Sequence, residues 1–320
     1  MIQKQILAML WGCGLMATAH AQTYPAKSVR IIVPFAAGGN TDFTGRTIAA
    51  KLTEALGHQF IVDNRPGGST NIGSDMIVKS VPDGYNILLG GAANAINAAV
   101  LAKAPFDLQR DLLPIILCVK GANVLSIHPS LPVRNLKEFI ALAKTKPGLL
   151  NYGTSGVASS NHMAGELLKH MAGINLNHVP YKGNAPALTD LIGGHVEAII
   201  SGVPALVPHI KSGRVRSIAI GSLKRFAAIP EVPTFDEQGL KGYEASTWFG
   251  LMAPAKTPRD IITRLNAEVG KVLASKDIRE RYQVEGLDPQ GGSPEDFAKF
   301  ISSEIDLYTR LMKVANLPKQ

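Results

Sequence analysis

The sequence predicts an α/β protein made of two lobes, each a mostly parallel sheet flanked by helices, with two crossover segments joining the lobes. Short apolar segments alternate with helical patterns along the chain, and this alternation is typical of parallel sheets covered by helices. The segment 29–35 is apolar without polar alternation, as expected for a parallel strand that is buried on both faces. The predicted strands are more than one sheet easily holds, so we predict two lobes.

The first lobe is predicted to comprise residues 22–121 and 222–320, with the placement of its C-terminal helices left open. Pro82-Asp83-Gly84 ends one helix and turns the chain into the next strand. Thr257 can cap a helix that has Pro258 in its first turn. The predicted strands of this lobe are 29–35, 58–64, 85–90, 113–119 and 246–253, and its predicted helices are 42–56, 73–80, 94–101, 258–275 and 294–314.

The second lobe is predicted to comprise residues 122–221. Pro147-Gly148 ends a helix there, and Gly153-Thr154-Ser155-Gly156 turns a short strand into the next helix. The two crossovers are predicted near Lys120-Gly121 and Gly221-Ser222. The predicted strands are 124–128, 150–152, 177–181, 196–201 and 216–221, and the predicted helices are 136–146, 159–171, 186–192 and 205–211. The segment 230–239, after the second crossover, is a proline-bearing connection within the first lobe.

The first residues of the chain have the three-part pattern of a secretory signal peptide. Lys4 supplies a positive charge, 6–17 is an apolar run, and Ala19-His20-Ala21 fits the small-x-small rule for cleavage before Gln22. The apolar run is too short to span a bilayer as a permanent helix. We therefore expect residues 1–21 to be a signal peptide that is removed on export, with a retained membrane anchor as the alternative.

The cysteine content indicates the compartment of the protein, and the net charge indicates the class of its ligand. The chain has two cysteines, and Cys13 leaves with the signal peptide, so Cys118 has no intramolecular partner. The absence of an intramolecular disulfide in an exported protein favours a bacterial periplasm over a eukaryotic secretory route.

The formal net charge is +8, but the basic residues are scattered without interleaved aromatic residues. We therefore expect no nucleic-acid partner, and an anionic small ligand fits the diffuse positive field better.

The first turn with the composition of a ligand site is 35–42, which follows the first strand. Ligands of parallel α/β sheets bind at the carboxyl ends of the strands. Gly38 and Gly39 allow close approach of the backbone, and the helix that follows presents unpaired N–H groups and a positive dipole end. Asp42 could cap this helix or accept a hydrogen bond from a ligand or water. The alternative is a turn that needs glycine for its shape alone.

A second such turn, 152–162, also joins a strand to a helix and is rich in hydroxyl groups. Hydroxyl and backbone N–H groups form a neutral cradle for an anion, and hydrogen bonds to a charged group contribute about 1.5–3 kcal/mol each. Its glycines and serines do not have the spacing of a nucleophile elbow. His162 in the following helix is expected to be a structural hydrogen-bonding residue more often than a catalytic base.

The sequence predicts neither a cofactor nor a metal ion. The turn 35–42 lacks the spacing of a dinucleotide-binding loop, and the glycine-rich turn 64–71 lacks the Gly-Lys-Ser/Thr ending of a phosphate-binding loop. His162 and His170 are eight residues apart on one predicted helix, which is too far to chelate one ion.

Several motifs together resemble the Bug-type periplasmic solute receptors, the substrate-binding components of tripartite tricarboxylate transporters. The resemblance covers nearly the whole mature chain. Its motifs are Tyr24-Pro25, 33–42, Asn64-Arg65-Pro66-Gly67-Gly68, Pro82-Asp83-Gly84-Tyr85, 152–156 with His162, Val179-Pro180-Tyr181-Lys182-Gly183, Asp190-Leu191-Ile192-Gly193-Gly194, 230–235 and Trp248-Phe249-Gly250.

The resemblance implies a two-lobed periplasmic-binding-protein fold of the Venus flytrap type. It implies a small carboxylate ligand held between the lobes, delivery to the membrane permease subunits of a tripartite transporter, and a monomer. Two details depart from the family pattern: 64–70 lacks the usual Ala after its first Gly, and Ser201-Gly202 replaces an acidic or aromatic segment. The implied ligand-binding residues are Phe35, Ala37, Gly38, Gly39, Asn40, Thr41, Asp42, Gly91, Ala92, Asn94, Thr154, Ser155, Gly156, Ser159, His162, Tyr181, Lys182, Gly183 and Ser201.

Two other functions are compatible with the sequence. A receptor with the same cleft could present its ligand to a membrane kinase instead of a permease. An exported serine hydrolase would use Ser155, Ser159 or Ser160 as nucleophile and His162 as base, since residues one helical turn apart share a face. No acidic third member is evident for such a triad, so we do not expect an enzyme. The identity of the solute is not predicted.

Overall fold

The computed structural model describes residues 24–101 and 103–314, so the predicted signal peptide 1–21 lies outside the described residues. No helix within these ranges is both long and apolar enough to cross a membrane. The strands are β1 Val29–Val33, β2 Phe60–Asn64, β3 Asn86–Gly91, β4 Leu112–Ile127, β5 Asn151–Thr154, β6 Asn177–Pro180, β7 Ala198–Gly202, β8 Arg216–Ile220, β9 Ser246–Pro254 and β10 Leu287–Gly291. The helices are α1 Asn40–Leu56, α2 Asn71–Val78, α3 Ala92–Val100, α4 Leu108–Asp111, α5 Leu136–Thr145, α6 Ser160–Ala172, α7 Asn184–Ile192, α8 Val203–Lys211, α9 Arg259–Ala274, α10 Lys276–Val284 and α11 Pro294–Val314, with a single 3₁₀ turn at Gly68–Thr70.

One long strand belongs to both sheets. The first part of β4 pairs with β9 and β10 in the first sheet, and its second part pairs with β7 and β8 in the second. The strand order is β2-β1-β3-β9-β4-β7-β5-β6, with β10 and β8 also paired to β4. The two strands predicted at 113–119 and 124–128 are therefore one strand of 16 residues. The Lys120-Gly121 step does not end the strand, because both residues keep partners on β9 and β10.

The sheets are mixed, which corrects the prediction of mostly parallel sheets. Parallel pairing joins β1 to β2 and β3, and β5 to β6 and β7. The pairings of β4 with β7, β8, β9 and β10, and that of β3 with β9, are antiparallel. The reason is the crossing itself: β4 carries the chain out of the first lobe and β9 carries it back, so the two run in opposite directions.

Apolar clusters cover both faces of each sheet. In β1, Val29, Ile31 and Val33 belong to one cluster and Ile32 to the other, which explains why this strand is apolar without alternation. Cys118 lies fully buried in the first of these clusters. Helices α9 and α10 complete one face of the first sheet and α11 completes the other, so the C-terminal helices pack on the first lobe.

Two elements near the C-terminus were not predicted. Helix α10 is strongly polar, and only Ile278 and Tyr282 are buried on it, so it has little apolar periodicity to detect. Strand β10 contains Pro289 and ends at Gly291, residues that are depleted in strands. It exists because its backbone pairs with β4, which is a tertiary effect.

The segment 222–245 packs with the second sheet, not with the first lobe as predicted. Phe235 and Tyr243 are fully buried beside residues of β5 and α5. Ile229 and Val232 lie in the cluster on the opposite face of the same sheet. We therefore propose a boundary at 245/246, where β9 begins, in place of 221/222.

Three chain segments meet where the two lobes join. The Gly221 N–H donates to the Asn123 carbonyl at 2.7 Å, the Ala245 N–H donates to the Gly221 carbonyl at 2.7 Å, and the Asn123 N–H donates to the Ala245 carbonyl at 3.1 Å. A Cβ on Gly221 would lie 2.9 Å from the Ala245 oxygen and 3.1 Å from the Asn123 oxygen. This closed ring of backbone hydrogen bonds leaves room only for glycine.

Substituting Gly221→Ala should lower the free energy of unfolding by about 2 kcal/mol, because backbone atoms must move to admit the new methyl group. Gly270→Ala on α9 is the matched control, since its Cβ would meet only the Ile116 side chain at 3.9 Å. Alanine there should stabilise the helix by up to about 1 kcal/mol. Urea unfolding followed by circular dichroism measures both changes. Equal unfolding midpoints for the two variants would contradict the steric argument.

Candidate functional site

Four helices begin at one cavity between the two lobes. Helices α1 and α3 come from the first lobe, and α6 and α7 come from the second. The cavity is small, with a volume of about 20 Å³, which is room for roughly one water-sized group. The lining residues that lie in the first turns of these helices are Asn40, Thr41, Ala92, Ala93, Ser160, Asn161 and Asn184. The other lining residues are Phe35, Gly39, Gly91, Ser155, Ser159, Thr247 and Phe249.

Small capping residues leave the beginnings of these helices open to the cavity. The N-cap residues are Gly39, Gly91, Ser159 and Gly183, and none of the three glycines provides a side-chain cap. The first N–H groups of a helix have no intrahelical acceptor. Together with the positive end of the helix dipole, such groups bind anions. The cavity therefore brings four anion-favouring helix ends together.

The lining of this cavity is neutral throughout the described residues. An anion bound there would be held by backbone dipoles, hydroxyl groups and amide groups. A second cavity adjoins the first and shares Phe35, Ala93, Ser155 and Ser159 with it. It has a volume of about 300 Å³. Its other lining residues are Pro34, Gly67, Gly68, Ser69, Thr70, Gly156, Val157, Pro180, Tyr181 and Lys182. Lys182 is a cationic residue among those that line this second, outer cavity.

The two lobes contact each other across the cleft. The Ala36 N–H donates to the Lys182 carbonyl at 3.0 Å, and the Ala205 N–H donates to Asn40 Oδ1 at 3.3 Å. A Cβ on Gly202 would lie 1.7 Å from Asn40 Nδ2, so glycine at this position makes room for the Asn40 side chain. The Ser201-Gly202 step therefore has a steric role where the two lobes meet.

A chain of hydrogen bonds connects the cavity to the junction of the lobes. Ser155 Oγ donates to Asn161 Oδ1 at 2.5 Å, and Asn161 Nδ2 donates to Asn123 Oδ1 at 2.6 Å. The backbone of Asn123 belongs to the ring that it forms with Gly221 and Ala245. The two asparagines are buried, so this chain is shielded from solvent.

The structure brings many of the predicted site residues together. Phe35, Gly39, Asn40, Thr41, Gly91, Ala92, Ser155 and Ser159 line the inner cavity, and Gly156, Tyr181 and Lys182 line the outer one. The predicted residues that line neither cavity are Ala37, Gly38, Asp42, Asn94, Thr154, His162, Gly183 and Ser201.

Asp42 supports the first turn from behind. Its carboxylate accepts from the Gly38 N–H at 3.0 Å, from Asn64 Nδ2 at 3.0 Å and from Arg46 Nε at 2.9 Å. Burial alone would raise the pKa of Asp42, but these hydrogen bonds and the Arg46 charge outweigh it and hold the pKa below the usual value. Because its oxygens are occupied in this way, Asp42 shapes the turn and does not face the cavity.

Asn94, Thr154 and His162 have similar supporting roles. Asn94 Oδ1 accepts from the Gly91 N–H at 2.9 Å, Thr154 Oγ1 lies 2.6 Å from His178 Nε2, and His162 Nδ1 accepts from the Ala158 N–H at 3.2 Å. These partners explain why the three side chains point away from the cavity lining.

The geometry does not support Ser159 and His162 as the nucleophile and base of a serine hydrolase. Ser159 Oγ donates to the Gly156 carbonyl at 2.7 Å and accepts from the His162 backbone N–H at 3.2 Å, which is the arrangement of a helix cap. The ring nitrogen Nδ1 of His162 is engaged with Ala158. Neither side chain is therefore arranged as a nucleophile and base pair.

The prediction missed six residues that line the inner cavity: Ala93, Ser160, Asn161, Asn184, Thr247 and Phe249. Thr247 and Phe249 lie on β9, and Phe249 is also part of the core. From the sequence, the apolar residues around Phe249 indicate a core role and not a cavity role. Asn184 could have been predicted from the sequence, because it follows Gly183 at a strand-to-helix turn, as in the turns 35–42 and 152–162. Its Oδ1 atom is buried without a hydrogen-bond partner among the described residues.

Comparisons with known proteins agree on one family. The model described as "Tripartite tricarboxylate transporter family receptor" matches residues 44–317. BugT of Bordetella pertussis is 36% identical over 302 residues, which cover 94% of this chain and 93% of that protein. A structure of R. palustris Rpa4515 with adipate has a TM-score of 0.89 and 37% identity, covering 92% of this chain and 98% of that one. MatC from Rhodopseudomonas palustris with bound malate has a TM-score of 0.86 and 28% identity, covering 90% and 99%.

The position of Asp42 leads to a stability prediction. A carboxylate with a depressed pKa stabilises the fold above its unfolded-state pKa of about 4, and this contribution is lost as the pH falls through the lower folded-state value. Asp42→Asn should therefore reduce the free energy of unfolding at pH 7 by about 2 kcal/mol and flatten its acid dependence. Asp260→Asn, at an exposed residue in the first turn of α9, is the control and should change stability little. Wild-type stability and acid dependence in Asp42→Asn would contradict the supporting role.

Proposed function

Because this chain belongs to the tripartite tricarboxylate transporter family of receptors, we propose that it binds a small carboxylate between its lobes and delivers it to a tripartite transporter. The predicted resemblance to Bug-type receptors is confirmed by these relatives. The solute-binding role is that of the family and of its solved members. The observation that carries our proposal for the ligand is the neutral cavity at which four helix beginnings meet.

We propose a dicarboxylate as the class of ligand. One carboxylate would place an oxygen in the inner cavity, where the first N–H groups of α1, α3, α6 and α7 supply donors. The outer cavity gives room for the rest of the ligand and brings Lys182 near a second carboxylate. Two solved relatives support this class, since one contains adipate and the other malate. Asn184 also lines the inner cavity, and we propose that its amide group takes part in ligand binding.

Closure of the lobes is the proposed binding step. A ligand can stabilise the closed arrangement only if it binds that arrangement more tightly than the open one. A carboxylate in the inner cavity meets this requirement, because donors from both lobes reach it only when the lobes are together. The hydrogen bonds from Ala36 to Lys182 and from Ala205 to Asn40 then hold the rims of the cleft.

The compartment follows from the same family. Its solved members include periplasmic binding proteins, and we place this protein in the periplasm as a monomer, with Gln22 as the first residue after export. Its proposed partners are the carboxylate and the membrane subunits of the transporter. Neither a cofactor nor catalysis is part of the proposal.

A substitution in the first turn of α3 tests the anion site. Ala93 lines both cavities and is the second residue of its helix. Ala93→Asp places a carboxylate where helix stability favours a negative charge, but this charge competes with the ligand. We expect the variant to stay folded and to lose adipate and malate affinity at least about 100-fold, since repulsion between close charges costs several kcal/mol.

Ala93→Asn is the matched control, because it has nearly the same size without the charge. It should retain more affinity than Ala93→Asp, and isothermal titration of wild type and both variants gives the comparison. Equal affinities for wild type and Ala93→Asp would place the anion elsewhere. Wild-type protein that binds none of a broad panel of di- and tricarboxylates would contradict the proposed ligand class.

A further inference from the structure

The turn between β5 and α6 holds an unfavourable backbone conformation beside the cavity. Ala158 has φ of 55°, in the left-handed region that costs a residue with a side chain roughly 1 kcal/mol or more. Ser155 and Ser159 on either side of it line both cavities. The position of their hydroxyl groups therefore depends on whatever keeps Ala158 in this conformation.

A ring nitrogen of His162 holds the Ala158 backbone. The Ala158 N–H donates to His162 Nδ1 at 3.2 Å, and both residues are buried. A ring nitrogen that accepts a hydrogen bond carries no proton, so neutral His162 has its proton on Nε2. That nitrogen lies 3.7 Å from Glu166 Oε1. A doubly protonated ring would have no acceptor for Ala158.

A second histidine supports the same turn from β6. The His178 ring stacks on the His162 ring with 4.1 Å between the centroids and 20° between the planes. His178 Nε2 lies 2.6 Å from Thr154 Oγ1, and that oxygen accepts from the Gly156 N–H at 3.3 Å. The two rings therefore form a stack behind the turn 155–159, on the side away from the cavity.

The charged and titratable groups around the stack favour neutral rings. Glu166 accepts from the Tyr152 hydroxyl at 2.8 Å and from Lys169 Nζ at 2.9 Å, so its charge is largely compensated. Burial lowers the pKa of His162, Glu166 opposes this and Lys169 adds to it. Burial, then the His162 ring and Lys169, lower the pKa of His178 to about 3. Tyr243, which packs on the same helix, donates to the Ala164 carbonyl at 2.8 Å.

We propose that neutral His162 is a positioning residue that holds the turn 155–159 in its ligand-binding conformation, so that protonation of its ring releases the turn. The effect on affinity rests on the proposed function, whereas the effect on the turn does not. Because the pKa of His162 lies below the ordinary value of about 6.5, the turn stays ordered at neutral pH. Its order is lost as the pH falls through the pKa of His162.

The tautomer can be observed directly. Long-range ¹H–¹⁵N spectra of the full mature chain at pH 7.5 should show His162 with its proton on Nε2 and with Nδ1 unprotonated. A proton on Nδ1 would overturn the proposal. The same spectra recorded at decreasing pH give the pH at which the His162 ring takes up its second proton.

Hydrogen exchange of residues 155–160 then tests the positioning role. After correction for intrinsic rates, protection of this segment should fall at the pH where His162 becomes protonated. His162→Asn places Oδ1 near the position of Nδ1 and should keep the segment protected at all these values. His162→Leu, which has no acceptor, should raise exchange about tenfold at pH 7.5, as loss of one hydrogen bond predicts. His170→Asn, at an exposed residue of the same helix, should behave as wild type.

Protection that survives protonation of His162, or that is unchanged in folded His162→Leu, overturns the proposal. If His162→Leu does not fold, wild type and His162→Asn still provide the comparison. Titration with adipate and malate adds the functional readout. Acid also protonates these ligands, which lowers the affinity of wild type and variants alike. Protonation of His162 should lower the wild-type affinity further, so its loss should exceed the loss in His162→Asn. If neither ligand binds to any of the proteins, the proposed function fails while hydrogen exchange still decides the role of His162.

Discussion

The arrangement depends on one constraint: the first N–H groups of a helix need acceptors that the helix itself cannot supply. This protein concentrates four such helix ends at one cavity between its lobes. Three of the caps, Gly39, Gly91 and Gly183, contribute no side-chain acceptor, so water or a bound anion must complete the hydrogen bonding. A neutral cavity of this kind attracts a carboxylate through oriented dipoles, and the outer cavity with Lys182 adds the one nearby cationic side chain among its described lining residues.

The rest of the fold holds these helix ends in place. Strands β4 and β9 pass between the lobes side by side, and Asn123, Gly221 and Ala245 close a ring of backbone hydrogen bonds at the junction. Behind three of the four turns lies a buried polar side chain that fixes the backbone: Asp42 behind the turn before α1, Asn94 behind the turn before α3 and His162 behind the turn before α6. The cavity surface is therefore made largely of backbone and small side chains. The carboxylate, amide and imidazole side chains lie behind this surface and fix its backbone.

The turns can be predicted from the sequence, but the roles of their side chains cannot. The apolar strand β1 and the glycines after it were sufficient to place the first turn, because strand-to-helix turns are local features. Which way Asp42 points could not be predicted, because its partner Asn64 lies on β2 and reaches Asp42 only where β2 lies beside β1. Thr247 and Phe249 reach the cavity only because β9 returns next to β3, and β10 forms only against β4. These are long-range pairings that leave no local pattern.

The most direct measurement of the central claim is a ¹H–¹⁵N spectrum of the mature protein during titration with adipate and then malate. We expect saturable shifts, with one common affinity, for the amides that begin the four helices: Thr41 of α1, Ala93 of α3, Asn161 of α6 and Asn184 of α7. Shifts in both lobes at the same ligand concentration would show that one anion is held by helix ends from each side. Shifts confined to one lobe, or confined to the surroundings of Lys182, would contradict the account.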